Sequence, residues 1–220
     1  MAYQNGPKIV TSGLVLYLDA GNPKSYPGSG TAWTDLSGNG NNGTLTNGPT
    51  FSSNGKGSIV LDGVDDYIIT NYSNNASETT FELVVNPLNV STGASKVFLG
   101  KTGGTNNYWI GLHGTDSSII FNPNGGLLDS DIIPNTSSFY FITATSTATQ
   151  RRIYVNGDFK KLAAASSVPS PTGRLCIGVY GEELTFDTAF AISSLKVYER
   201  VLSATEILNN YNVTKGRFKL

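Results

Sequence analysis

Apolar residues recur along this chain in short runs, many alternating with polar ones, and each run closes on a Gly, Asn, Asp or Pro cluster. A period of two is the mark of half-buried strands. The runs are GLVLYLD (13–19), two within GSIVLDGVDDYIIT (57–70) around Asp62-Gly63, TTFELVVNP (79–87), KVFLGK (96–101) and NYWIGLH (107–113). SSIIFN (117–122), SFYFITATS (138–146), RRIYVNGDFKKL (151–162), RLCIGVY (174–180) and AFAISSLKVYER (189–200) complete them. Phe81, Leu83 and Val85 fall on one face of their run. Asn156-Gly157 is the strongest hairpin signal, because a type I′ turn needs positive φ at both central residues. About a dozen strands, each with one apolar face, must stack as two sheets. No linker and no repeat divides them, so the spacing predicts an all-β, two-sheet antiparallel sandwich in one domain over 1–212.

One short helix is predicted, near the C-terminus. In LSATEILNNYN, Ser203 and Glu206 stand at the spacing of a capping box, and Ile207, Leu208 and Tyr211 form an apolar face. Residues 213–220 then read as a basic tail carrying Lys215, Arg217 and Lys219. Such a tail is either a solvated end or a docking arm for a neighbouring subunit.

Composition narrows the function classes. Only 14% of residues are charged, against about 25% in an average soluble protein, and the net charge is -1. That argues against nucleic acid, whose binding needs a basic patch. The single cysteine, Cys176, rules out an internal disulfide and reads as a small core residue. The N-terminal segment lacks the apolar stretch of a signal peptide, and no run approaches the roughly 20 residues of a membrane span. The polar, nearly uncharged surface is compatible with a homo-oligomer, with its symmetry left open.

Several of these stretches, in this order, resemble a known family. GLVLYLDAGN, WTDLSGNGNNGTL, GSIVLDGVDDYI, IYVNG and ISSLKVYERVLSATEI together are similar to laminin-G-like, concanavalin A-like jelly-roll domains, over Gly13 to Tyr211. The opening GPKIVTSGLVLYLDAGNPKSYPGSG further resembles stand-alone copies in virion proteins of tailed bacteriophages. The resemblance implies a jelly-roll sandwich that binds glycans or proteins, often with calcium. It also implies a place on a virion, made in a host cytoplasm, with capsid or tail proteins or a host-surface glycan as partners. The expected function is therefore a non-catalytic structural or binding module, a capsid decoration or tail-associated adhesion protein. The alternative is a free lectin-like carbohydrate-binding domain, and a glycoside hydrolase comes third.

Candidate chemistry is sparse. Hydrolysis of a glycoside needs two carboxylates at a set separation. The acidic pair at i, i+2 is Asp129 and Asp131, in a stretch that reads as a polar bend, and His113 has no evident acid partner, so no enzyme is expected. Zinc is not expected without a Cys/His cluster. Calcium is the one cofactor left open, at Asp35, Ser37 and Asn39, where TDLSGNG supplies oxygens at alternate positions before a turn glycine. Asp19 and Asp62 could assist. In relatives an acid on the last long strand completes such a site; here those positions are Ser193 and Ser194. For a glycan, the expected ligand-binding residues are Trp33, Asn106, Asn107, Tyr108 and Trp109, with Tyr26, Tyr72 and Tyr180 as further aromatic faces, because sugars stack on rings and bond to planar amides. The loop 101–109 is the favoured place.

Overall fold

The computed structural model describes residues 8–73, 76–101, 108–123, 126–165, 173–180, 188–218 and 220. The chain runs through β1 (Leu14–Asp19), β2 (Ala32–Trp33), β3 (Gly43–Thr46), β4 (Thr50–Ser52), β5 (Ser58–Asp62) and β6 (Tyr67–Thr70). It continues as β7 (Thr79–Pro87), β8 (Lys96–Lys101), β9 (Tyr108–Leu112), β10 (Ile119–Pro123) and β11 (Leu128–Asp129). β12 (Tyr140–Ser146), β13 (Gln150–Val155), β14 (Asp158–Ala164), β15 (Leu175–Ile177) and β16 (Ala189–Tyr198) lead to α1 (Ala204–Phe218). The strands form two antiparallel sheets of eight. The first has the order β14-β13-β12-β7-β16-β5-β4, with β1 also paired to β16. The second has the order β11-β10-β9-β8-β15-β6-β3-β2. No described helix is long and apolar enough to cross a membrane.

The alternation sets the core. Phe81, Leu83 and Val85 of β7 meet Tyr108, Ile110 and Leu112 of β9 and Ile119 and Phe121 of β10 in one buried cluster. In β16 a bulge does the same work by other means. Ile192 pairs with Val85 and Ser194 with Val84, so Ser193 is the extra residue. The bulge shifts the phase of the strand, and Ile192, Leu195 and Val197 all reach the core. Asn156 and Gly157 take φ of 54° and 80° between β13 and β14, the turn their sequence predicts.

The C-terminal helix differs from expectation. It does not stop at 212 but continues to Phe218, so most of the expected basic tail is helix lying on the outer face of the first sheet. Phe218 joins Val84, Phe139, Phe141 and Ala191 there, and Ile207 joins Tyr154, Tyr198 and Leu202. Arg217 docks on its own chain, 2.6 Å from Asp19. Burial of Phe218 and pairing of Arg217 carry the helix past the point where sequence periodicity fades.

The helix start is the expected capping box. The Ser203 N–H donates to Glu206 Oε2 at 2.8 Å, and the Glu206 N–H donates to Ser203 Oγ at 3.3 Å. Arg200 adds a forked pair to both Glu206 oxygens, at 2.6 and 3.0 Å. Arg200 and then the Ser203 N–H hold the Glu206 carboxyl down to about 2. The folded value lies below the unfolded one, so this support is complete above the ordinary carboxylate range and is lost as pH falls towards about 2. Arg200→Ala is expected to move the acid-unfolding midpoint, followed by circular dichroism, to higher pH. An unmoved midpoint contradicts this role.

Beneath the helix lies a buried polar cluster. Lys196 Nζ stands 3.5 Å from Glu82 Oε2, with both side chains almost wholly buried. Asn210 Nδ2 of the helix donates to both Glu82 oxygens, at 3.0 and 3.1 Å. Burial pushes the Glu82 carboxyl up, and Lys196 and then Asn210 work against that shift.

Candidate functional site

The loop expected to hold calcium is a self-contained brace. Asp35 Oδ1 accepts the N–H groups of Tyr17 and Ser37, at 2.8 and 2.9 Å. Its Oδ2 accepts the Asn41 N–H at 2.9 Å and the Ser37 hydroxyl at 2.7 Å. A carboxylate offers about four lone-pair positions; three N–H groups take three, and the Ser37 hydroxyl, whose one hydrogen also has Val15 O at 2.9 Å, faces the fourth. Asn39 turns its amide nitrogen to Ser37 Oγ at 3.0 Å. Hydrogen-bond donors converging on the one acid repel a cation, so Asp35, Ser37 and Asn39 do not fit calcium. Asp19 is also spent, on Arg217, the Tyr17 hydroxyl and the Gly21 N–H. Ser193, where relatives carry an acid, accepts from Arg217 at 2.9 Å and donates to Gly57 O at 2.6 Å. Asp62, Asp65 and Asp66 gather at the β5–β6 turn and brace it, through Asp62 to the Val64 N–H and Asp66 to the Asp62 N–H. Asp35→Ala is expected to cost about 1–3 kcal/mol in urea unfolding, because three N–H groups lose their acceptor. Added calcium is expected to leave the wild-type melting temperature unchanged; a rise that Asp35→Ala removes contradicts the brace.

The expected sugar-binding residues scatter. Trp33 is fully buried in the main core, and Tyr108 joins it at 1% exposure. Tyr26 and Tyr72 are core residues too. Strand alternation sends Trp109 the other way, to the outer face of the second sheet, but Val97, Ile120 and Tyr180 cover it to 8% exposure. Asn106 and Asn107 lie outside the described residues. The structure therefore corrects Trp33 and Tyr108 as sugar contacts: each ring is spent on packing.

The acids also rearrange. Asp129 Oδ1 accepts the Asp131 N–H at 2.8 Å, and Asp131, at φ 58°, turns away into solvent, so the pair is the expected bend. His113, in contrast, does have acidic neighbours. Its Nδ1 lies 3.3 Å from Asp116 and 4.0 Å from Asp129. The Ser118 N–H and hydroxyl, and then His113, hold the Asp116 carboxyl below its usual range. The Ser118 hydroxyl faces the two carboxylates at 2.8 Å each, so His113 is not placed to act on it as a base.

Two concave features of the described surface lie elsewhere. Two adjoining clefts of about 430 Å³ each open over the outer face of the first sheet, beside the end of α1. Asn54, Asn86 and Ser137 give the first its polar groups, Lys56 and Arg217 its charge, and Phe139 and Phe218 its wall. The second shares Ser137, Phe139 and Phe218 and adds Tyr140, Asn156 and Leu220. The two phenyl rings stand 5.1 Å apart between centroids. Gly55 makes their approach possible: it sits at φ 61°, and a Cβ there would come within 2.8 Å of the Phe139 ring.

The cleft walls are held firmly. Arg217 donates to Asp19, Ser193 Oγ and the carbonyls of Gly55 and Gly57. On the opposite lip Asn135 gives its N–H and amide to the Tyr140 hydroxyl, and accepts from the Ser137 N–H and hydroxyl. Among the described residues, no Asp or Glu side chain lines either cleft. Planar amides, hydroxyls and apolar ring edges around a shallow, rigid depression suit a polyhydroxylated ligand better than a cationic or wholly apolar one. Sequence reasoning missed this site because its residues come from five separate segments. Asn135 and Asn156, in turn sequences, were its faint signal.

Comparisons with known proteins agree with the sandwich. A family model described as the concanavalin A-like lectin/glucanases superfamily matches residues 62–208. No curated protein sequence matches the chain. Among solved structures, the binding domain of Paraclostridial Mosquitocidal Protein 1 superposes with a TM-score of 0.69 at 15% identity, over 91% of this chain and 52% of that one. A Trypanosoma rangeli sialidase mutant displaying trans-sialidase activity gives 0.73 at 15%, over 97% of this chain and 35% of that one. Domain 4 of AbnA, a GH43 extracellular arabinanase from Geobacillus stearothermophilus, in complex with arabinotriose, gives 0.67 at 17%. That match covers 90% of this chain and 98% of the domain. The chain thus spans about half of the mosquitocidal binding domain and about a third of the sialidase chain.

Proposed function

Because the chain belongs to the concanavalin A-like lectin/glucanases superfamily, we propose that it is a non-catalytic carbohydrate-binding module whose site is the double cleft at the end of α1. The observation that carries this reading is the lining: two amides, a hydroxyl and two aromatic rings, with Lys56 and Arg217, in a rigid depression with no Asp or Glu side chain among the described residues. Glycoside hydrolysis by paired acids has nothing to work with there. The arabinanase domain bound to arabinotriose supports the carbohydrate, as a similar fold that carries an oligosaccharide. A glycan array is the test. Binding to at least one polysaccharide class, without release of reducing sugar from it, is expected. Silence across the array, or sugar release, overturns the reading.

A narrower placement follows from the resemblance of residues 6–30 to phage virion copies. On that reading the module is displayed on a particle, as a capsid decoration or tail-associated adhesion protein, and its glycan is on the host surface. Mass spectrometry of purified virions is expected to recover the chain; its absence from the particle overturns the placement.

A further inference from the structure

The outer face of the second sheet carries a cluster unconnected with the cleft. His113 follows β9, Asp116 lies in the β9–β10 turn and Asp129 ends β11. Ile120 pairs with both Gly111 and Asp129, so these three strands present one face together. His113, Asp116 and Asp129 each offer a ligand atom, all within 4.8 Å of one another. The His113 Nδ1 is shut off from solvent yet makes no hydrogen bond.

That convergence is short of positive charge. If the imidazole is neutral with its lone pair on Nδ1, that pair faces carboxylate oxygens at 3.3 and 4.0 Å, and all three repel. If Nδ1 carries a hydrogen, its nearest acceptors are Asp116 at 3.3 Å and Asp129 at 4.0 Å, and neither is close and aligned enough for a full hydrogen bond. Ser118 relieves the strain only in part: its N–H donates to Asp116 Oδ1 at 3.0 Å, but its single hydroxyl hydrogen meets two carboxylate oxygens at 2.8 Å each. A cation at the centre satisfies all three groups at once.

We propose that His113, Asp116 and Asp129 bind a divalent transition-metal ion of the zinc type. One imidazole nitrogen with two carboxylate oxygens is a donor set suited to zinc, whereas calcium takes oxygen ligands. Tetrahedral ligands about 2.0–2.1 Å from the ion stand about 3.4 Å apart. The 3.3 Å between Nδ1 and Asp116 already matches, and Asp129 closes in from 4.0 Å. The Ser118 hydroxyl touches the same two oxygens, Asp116 Oδ1 and Asp129 Oδ2, and holds them on one side of the site. The fourth position stays open to water.

His113 is the chain's single histidine, so its imidazole resonances report this place alone. In tag-free protein near neutral pH, one equivalent of zinc chloride is expected to move them, and calcium chloride at the same concentration is not. Asp116→Asn and Asp129→Asn are each expected to weaken zinc binding at least tenfold by calorimetry, with circular dichroism unchanged. Resonances that ignore zinc overturn the proposal. So does wild-type affinity in both asparagine variants, which identifies a lone surface imidazole. An equal response to calcium overturns the choice of metal.

Discussion

Lys196→Met is expected to lower stability by about 3–5 kcal/mol at neutral pH, because it leaves the buried Glu82 carboxylate without its cation. Both side chains lie under the helix, at 2% and 0% exposure, so water cannot replace the lost partner. The loss has a pH signature. Burial already pushes the Glu82 carboxyl up in the folded state, and removing Lys196 pushes it further. A folded value above the unfolded one means the folded chain binds more protons between the two. Stability then falls as pH rises through that window and recovers as pH drops below it. The cost of Lys196→Met is therefore expected to shrink in mildly acidic urea titrations. Adding Glu82→Gln to it is expected to recover much of the loss, since an amide is far cheaper to bury than a charge. A cost that is flat with pH and additive in the double variant contradicts the account. The same ion pair anchors Asn210, so this chemistry also decides whether α1, and with it the cleft, stays in place.

Trp33→Ala is expected to cost about 3–5 kcal/mol, the range for emptying a large aromatic site in a core. Trp33 is fully buried, and its Nε1 has no hydrogen-bond partner. Trp33→Phe is accordingly expected to cost much less. It removes an unsatisfied buried N–H along with part of the ring, and the two effects oppose each other. Urea unfolding of the two variants checks the contrast. Glycan affinity of folded Trp33→Phe is expected to match wild type, because the ring faces no ligand.

Long strands were legible in the sequence, and short ones were not. β7 and β8 have the limits their runs predict, and Asn156-Gly157 marks its turn. β2, β3, β4 and β11 hold two to four residues, too few to express a period, and they rest on pairing with neighbouring strands. The end of α1 escaped for a related reason. Its last turn is fixed by Asp19, some 200 positions away, and a local pattern carries no trace of that partner. Ser193 was legible as a missing acid but not as an Arg217 contact. The aromatic candidates failed in a different way. Alternation says that Tyr108 and Trp109 point to opposite sides, and they do, but it does not say that Val97 and Ile120 close over the outward ring. The cleft was the least legible of all, because Asn54, Asn86, Ser137 and Phe218 meet only once the first sheet and the helix are assembled.

On the proposed reading, a carbohydrate sits in the cleft beside α1. Ser137 is exposed and lines both halves, so Ser137→Trp plugs the site without touching the core. Calorimetry with the best array ligand, on wild type, Ser137→Trp and Trp109→Ala, is the direct test. On this reading, Ser137→Trp is expected to lose at least tenfold in affinity, a free-energy gap of about 1.4 kcal/mol or more, and Trp109→Ala to keep it within about twofold. Full affinity in Ser137→Trp with loss in Trp109→Ala contradicts it and moves the site to the second sheet.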